Sequence, residues 1–334
     1  MDCFALGCEE WRAWAVARGL PAFRGQQIHA AVQAGRARRF ADIRTLPAAL
    51  RSSLDAGFAL APADEALRRE SRDGTIKSLL RLRDGAEIEC VSIPTAQRHT
   101  VCVSTQAGCA IGCSFCASGA GGLRRDLSAG EMVFQVLHHQ RRRPVTNVVF
   151  MGSGEPFLNY EAVLRCVAVL GDPAGLGLGR RRLTVSTVGV PDRIRAFAHD
   201  EPQVNLAVSL HAVDDATRSA LIPANRSWPL AAIRSALRDY SDASGRRVTL
   251  EYCLIDGINT APEQAVALAR WARPLGALIN LICYNAGGAG AHRAPDGATL
   301  AAFAEAVASA GGTATLRASR GTDIAGACGE LSGS

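Results

Sequence analysis

The chain has 334 residues, 48% of them hydrophobic and 20% charged, with a formal net charge of +6. That composition excludes a disordered chain and exceeds what one small domain needs. No apolar run reaches membrane-spanning length, and Glu and Arg interrupt the first twenty residues too often for a secretion signal, so the expected compartment is the cytoplasm with no membrane partner.

The eleven cysteines would then be reduced at rest, and metal, cluster or catalytic roles outrank a disulfide framework. Lys77 is the sole lysine among 37 basic residues. Arginines cluster at 35–40, 123–126, 140–144 and 179–183. Their planar forks suit phosphate, which admits an RNA partner, although arginine spread over the whole surface would look the same.

Residues 1–72 read as a small helical accessory domain, with helical apolar spacing in "CEEWRAWAVARGL" and "RGQQIHAAVQA" and further short helices around Pro47. Residues 73–94 read as a linking β-hairpin that turns at Asp84-Gly85. From 95 to 325, short apolar runs alternate with helical stretches: "TVCVST", "NVVFM", "LTVST", "NLAVSL", "VTLEYCLI" and "INLICYN", with a seventh run at 313–319. Ser128 and Glu131 have capping-box spacing at the start of the first such helix. Six β-α units predict a parallel α/β sheet curled into an open, partial (β/α)6 barrel, followed by a tail at 326–334. Ligands of such sheets sit beyond the carboxyl ends of the strands, where the loop after the first strand lands.

That loop is "AGCAIGCSFCASG", with Cys109, Cys113 and Cys116 within eight residues. Three thiolates can hold three irons of a 4Fe–4S cubane and leave the fourth iron open. A zinc knuckle short of one ligand, or plain apolar burial of thiols, are the rival readings. After the second strand comes "MGSGEPFLN", where Glu155 beside glycines could accept hydrogen bonds from an amino group. The segment is not a dinucleotide fingerprint, because Phe157 stands where a third glycine would be needed.

The Cys-x3-Cys-x2-Cys spacing resembles the radical S-adenosylmethionine enzymes. Together with "MGSGEPFLN", "LTVSTVGV", "LAVSLHA", "VTLEYCLIDGIN", "NLICYN" and "RGTDIAGACGEL", the chain resembles the RlmN and Cfr family of RNA methyltransferases over nearly its full length. The resemblance implies one 4Fe–4S cluster on Cys109, Cys113 and Cys116, and two molecules of S-adenosylmethionine per turnover. It implies cofactor contacts from Phe115, Gly154, Glu155, Ser186, Ser209, Leu210, His211 and Asn285. It further implies that Cys328 becomes methylated, that its methyl carbon adds to an adenosine ring, and that Cys102 resolves the thioether by a transient disulfide with Cys328. Glu89 matches the position proposed as proton acceptor. The remaining six cysteines, Cys253 among them, read as packing or surface residues.

The implied substrate is 23S ribosomal RNA or transfer RNA, and the implied reductant is flavodoxin or ferredoxin. Pro156 and "STVGV" resemble the C2-methylating branch more than the C8 branch. Two departures stand out: Ser153 replaces the family's usual Met and is expected near the cofactor, and the segment 285–297 lacks the Pro that commonly follows the Asn at its start. Methylation at C8 or on another RNA, and a metal-stabilised RNA-binding protein without activity, remain alternatives.

Overall fold

The computed structural model describes residues 2–35, 37, 39–285 and 292–331. Helices α1 (Cys8–Val16), α2 (Ala22–Gln33) and α3 (Ala48–Gly57) open the chain. Four strands follow: β1 (Ala63–Glu70), β2 (Ile76–Leu82), β3 (Glu87–Pro94) and β4 (His99–Cys102). The short strands β5 (Gln106–Gly108) and β6 (Leu123–Asp126) flank the cysteine loop and lead into α4 (Ala129–Gln140). Next come β7 (Asn147–Phe150), α5 (Tyr160–Leu170), β8 (Leu183–Thr187), α6 (Pro191–Asp200) and β9 (Asn205–Ser209). The last units are α7 (Asp215–Leu221), α8 (Leu230–Ser244), β10 (Thr249–Leu254), α9 (Pro262–Ala272), β11 (Leu278–Cys283), α10 (Gly297–Ser309) and β12 (Thr313–Arg317).

Ten strands form one sheet in the order β1-β2-β3-β4-β7-β8-β9-β10-β11-β12. The β4 to β12 stretch is parallel throughout, with helical crossovers, and β1 and β12 are the free edges. The expected open, partial barrel is therefore present. Its middle strands are buried on both faces, as their continuous apolar runs require.

Local signals set element ends. Ser128 Oγ accepts the Glu131 N–H at 3.1 Å and Glu131 Oε2 accepts the Ser128 N–H at 2.8 Å, a complete capping box at the start of α4. In the β2–β3 hairpin, Gly85 has φ 79° and the Asp84 carboxylate accepts the Ala86 N–H at 3.0 Å.

Two expectations about the first 94 residues change. Residues 63–70, expected within a helical region, form strand β1. All but Ala63 are exposed and five of the eight are charged, which hides an edge strand among helix-forming residues, and pairing with β2 overrides local propensity. The hairpin is likewise no free linker. It continues the barrel sheet, because β3 pairs antiparallel with β4 and sets Val91 opposite Cys102. The N-terminal helices share the barrel's core, with Phe4 packed edge-on against Phe134 of α4 at 5.6 Å.

Candidate active site

Pairing of β5 with β6 closes the cysteine loop at its base, where the Cys109 N–H donates to Gly122 O at 3.0 Å. Gly108 permits that approach: its φ is 79°, and a Cβ there would stand 2.0 Å from Gly122 O. Cys109, Cys113 and Cys116 line one wall of an open cleft. Ile111, Phe115, Leu221, Ile222 and Ile255 back that wall.

Desolvation raises the Cys109 thiol to about 11 and Cys113 further, and the neighbouring Cys116 sulfur adds to both shifts. Free thiolates are thus unstable here and iron would stabilise them. Among the described residues no three His, Cys, Asp or Glu side chains converge on a single ion, which is what zinc demands. Three cysteines along one apolar wall, one for each of three irons, suit a cubane cluster.

The facing wall comes from the ends of β7, β8 and β9. The turn at 152–155 lies against the 103–106 segment so closely that a Cβ on Gly154 (φ 106°) would meet Gln106 Cβ at 2.6 Å. That contact carries Glu155 into the cleft, with its own N–H donated to Gln106 Oε1 at 2.9 Å. The Glu155 carboxylate is buried and accepts the Phe157 N–H at 2.9 Å and the Val188 N–H at 2.8 Å. Burial still dominates and lifts its pKa to about 7.

Ser186 and Ser209 line the same cleft from β8 and β9. His211 follows in the left-handed region at φ 57°, an uncommon setting for a side chain of this size. Its Nδ1 accepts the Cys253 N–H at 2.9 Å, which assigns the ring proton to Nε2. Burial, and then the nearby Arg218 charge, push His211 down to about 3, so it is a neutral donor at physiological pH. Phe115 meets this ring edge-on at 4.9 Å, so the expected aromatic and imidazole do flank one site.

Other expected residues lie elsewhere. Leu210 is fully buried in the main core, its N–H bound to Glu251 O and its carbonyl to Arg218, so its side chain is not part of the cleft. Asn285 reaches the tail instead: its Nδ2 donates to Cys328 O at 3.2 Å. Glu89 sits outside the cleft, 2.8 Å from the ammonium of buried Lys77, in a separate cavity shared with Ala117, Ala325 and Glu330. Ser153 is fully buried, and its hydroxyl lies 3.1 Å from Ser118 Oγ, behind the cysteine loop rather than on the cleft wall. The 285–297 segment falls partly outside the described residues; His292, within it, lies 3.2 Å from Ser114 Oγ between two of the cluster cysteines.

Cys328 lines this cleft and also a second cavity, whose walls include Cys102, Val149, Met151 and Arg317. As a residue it is exposed, yet its thiol sits below the surface, where desolvation raises it to about 11 and Arg317 opposes the shift. Cys102 is buried between Val91 and Leu331, and its thiol is raised to about 12, mainly by burial.

Three residues that sequence reasoning missed complete the site. Arg218 is fully buried, and its guanidinium bonds Leu210 O, Ser209 O, Val188 O and Asn225 Oδ1. It ties the ends of β8 and β9 to α7. Glu251 is buried on the cleft wall, and Asn280 Nδ2 donates to it at 2.7 Å. A lone carboxylate inside "VTLEYCLI" is the signal that marks it. Cys253, read as packing, lines the cleft too.

The sequence pattern of the Radical SAM superfamily matches residues 103–269, the stretch from the end of β4 through most of α9. A solved radical SAM methyltransferase from Sphaerobacter thermophilus superposes with a TM-score of 0.97 at 43% identity, covering 100% of both chains. A chain of Desulfitobacterium hafniense named "Probable dual-specificity RNA methyltransferase RlmN" is 44% identical over 99% of this chain and 96% of its own length. The "Dual-specificity RNA methyltransferase RlmN" of Syntrophobacter fumaroxidans is 40% identical over 96% of this chain and 95% of its own. These relatives match over nearly the whole length of both chains, and this chain belongs to the RlmN family of radical S-adenosylmethionine RNA methyltransferases.

Proposed function

We propose that this protein methylates C2 of an adenosine in 23S ribosomal RNA and in transfer RNA. The observation that carries the reading is the position of Cys328, which borders both the cleft of the three cluster cysteines and the cavity that holds Cys102. A thiol at that junction can meet the cofactor on one side and the substrate base and resolving thiol on the other.

Cys109, Cys113 and Cys116 would hold the 4Fe–4S cluster, and Glu155, Ser186, Ser209, His211 and Phe115 would hold S-adenosylmethionine. Bound together, cluster and cofactor supply a methyl group in one turn and, by reductive cleavage, a hydrogen-abstracting radical in the next. Glu155 as a carboxylate would accept an N–H from the cofactor's amino group, and neutral His211 would offer Nε2–H to an oxygen or ring nitrogen. Apolar residues around the cluster wall would exclude water from both.

Cys328 would carry the methyl carbon to the base. The Cys102 thiolate would then attack the Cys328 sulfur, forming the S–S bond as the C–S bond breaks. The electron pair left on the methylene carbon would take up a proton to give the methyl group, and a dithiol reductant would reopen the disulfide. Burial of Cys102 suits a thiol that must stay unreactive until the tail delivers its partner. Glu89 would take the proton leaving the base from its place beside the tail and cluster loop, with Lys77 as its charge partner. The apolar side of the second cavity, with Arg317 and Arg320 at its rim, suits an extruded purine and its phosphate.

The protein would act in the cytoplasm and receive electrons from a flavodoxin or ferredoxin. The accessory helices, the hairpin, the barrel and the tail, expected at 1–72, 73–94, 95–325 and 326–334, would act as its functional divisions, with β1 moved from the first division to the hairpin.

A Cys102→Ala variant, expressed with ample iron–sulfur supply and digested after purification, tests the reading. We expect RNA joined through adenosine to Cys328 in the mass spectrum, with the oligonucleotide naming the substrate. A C8 linkage would move the chemistry to the other branch. An unmodified Cys328 in protein with an intact cluster would overturn the thiol-carrier reading.

A further inference from the structure

The tail after Ile324 belongs to no helix or strand among the described residues, yet it must place one thiol between two cavities. The turn beyond Cys116 grips it twice. The Ala117 N–H donates to Gly329 O at 2.9 Å, and Ser118 Oγ donates to Leu331 O at 2.6 Å.

Ser118 has a second partner, Ser153 Oγ at 3.1 Å. The one Ser118 hydroxyl proton is committed to Leu331 O, so Ser153 is the donor in that pair. Ser153, Ser118 and Leu331 are 0%, 6% and 4% exposed, which leaves little room for water to replace a lost bond. The backbone of Ser153 is itself fixed: its N–H donates to Ser104 Oγ at 2.9 Å, and its carbonyl accepts the Thr105 N–H at 2.8 Å. A directed row of hydrogen bonds therefore runs from the barrel sheet to the tail, and Leu331 at its end packs on Val91 and Cys102.

We propose that Ser153 and Ser118 are positioning residues, a two-hydroxyl latch that sets where the Cys328 tail docks. Ser153 contributes to the latch and not to the cofactor wall. Ser118 sits two residues beyond a cluster cysteine, so the cluster loop is the tail's receptor. A latch made of two neutral hydrogen bonds biases the docked state by only about 5- to 10-fold for the bond to the tail, which keeps the thiol placed and releasable. The consequence for catalysis rests on Cys328 being the working thiol, but the docking itself does not.

Cluster-loaded protein is exposed to iodoacetamide and the labelling rate at Cys328 is followed by peptide mass spectrometry, with Cys283 as internal control. Ser118→Ala should label about 5- to 10-fold faster at Cys328, and Ser153→Ala about 2- to 5-fold faster, with Cys283 unchanged. Ser118→Thr, which keeps the hydroxyl, should restore the slow rate. Wild-type rates in both alanine variants would overturn the latch, and so would a threonine variant as fast as alanine. If Ser118→Ala loses iron, Ser153→Ala decides on the same criterion. A firm latch without an RNA adduct on Cys328 would remove only the thiol-carrier reading.

Discussion

Arg218 ties three carbonyls and an amide oxygen together under the strand side of the cofactor cleft, whereas the tail that brings Cys328 to that cleft rests on single hydrogen bonds from Ala117, Ser118 and Asn285. The first is a buried charged network in which the Val188, Ser209 and Leu210 carbonyls belong to β-strand ends or the loops that follow them. The second is a row of neutral contacts on an irregular segment. A cofactor that must be held while a bond is broken needs the first kind of support. A thiol that must visit the cofactor, the base and Cys102 in turn needs the second, because each added tether would slow its release.

Removing the guanidinium is the strongest way to break this contrast. Arg218→Gln cannot span the same acceptors and leaves buried carbonyls unpaired, a loss on the order of 3 kcal/mol or more. Thermal unfolding of the cluster-loaded protein should fall by several degrees, whereas the tail variants should leave it nearly unchanged. An Arg218→Gln protein that melts with wild type would show that both sides are equally loosely held.

How far this division is legible in the sequence differs between its halves. The alternation of apolar runs and helical stretches from residue 100 onward fixes the parallel sheet, since a strand buried on both faces leaves no other pattern. The cysteine loop is legible because three thiols at that spacing have few other uses. Strand β1 is not, because an exposed edge strand carries charged side chains that read as helix. Arg218 is hidden by its own kind: in a chain with so many surface arginines, nothing local marks the one whose side chain turns inward. Ser153 reads as a cofactor neighbour from its motif, and only the packing of the turn against 103–106 shows it facing Ser118. Cys328 is legible as a tail cysteine, but its place between two cavities is a tertiary fact.

The base of the cluster loop offers a smaller break. Gly108→Ala would put a methyl group against Gly122 O in a left-handed conformation, at a cost of about 2 kcal/mol. The loop would open at its stem while β7–β12 stay intact. Iron content after anaerobic reconstitution should therefore drop more than thermal stability does. Equal losses in both would mean that the loop and barrel fold as one unit.

The mildest test sharpens the contrast by titrating the rigid side alone. Glu155 has its pKa raised from the ordinary 4.5 to about 7 by burial. The folded state then holds a proton that the unfolded chain has lost, so Glu155 favours the cofactor-free fold below about pH 4.5, and that contribution is lost as pH rises towards 7. Cofactor binding has the opposite sign, because the amino group of S-adenosylmethionine donates to the carboxylate form. Below about pH 7 its affinity should therefore weaken, approaching about tenfold per pH unit, until the bound-state pKa is reached. Anaerobic equilibrium dialysis of cluster-loaded protein between about pH 5.5 and 8 reads this directly. Glu155→Gln should bind more weakly and lose most of the slope. The cofactor's own amine titrates alike with both proteins, so the difference between the two curves belongs to residue 155. A wild-type curve parallel to the variant's would mean that the carboxylate does not meet the amino group. Meanwhile the alkylation rate ratio between Ser118→Ala and wild type at Cys328 should stay constant over the same range, since neither latch hydroxyl titrates there, and that independence is what separates a fixed charged wall from a neutral, releasable tail.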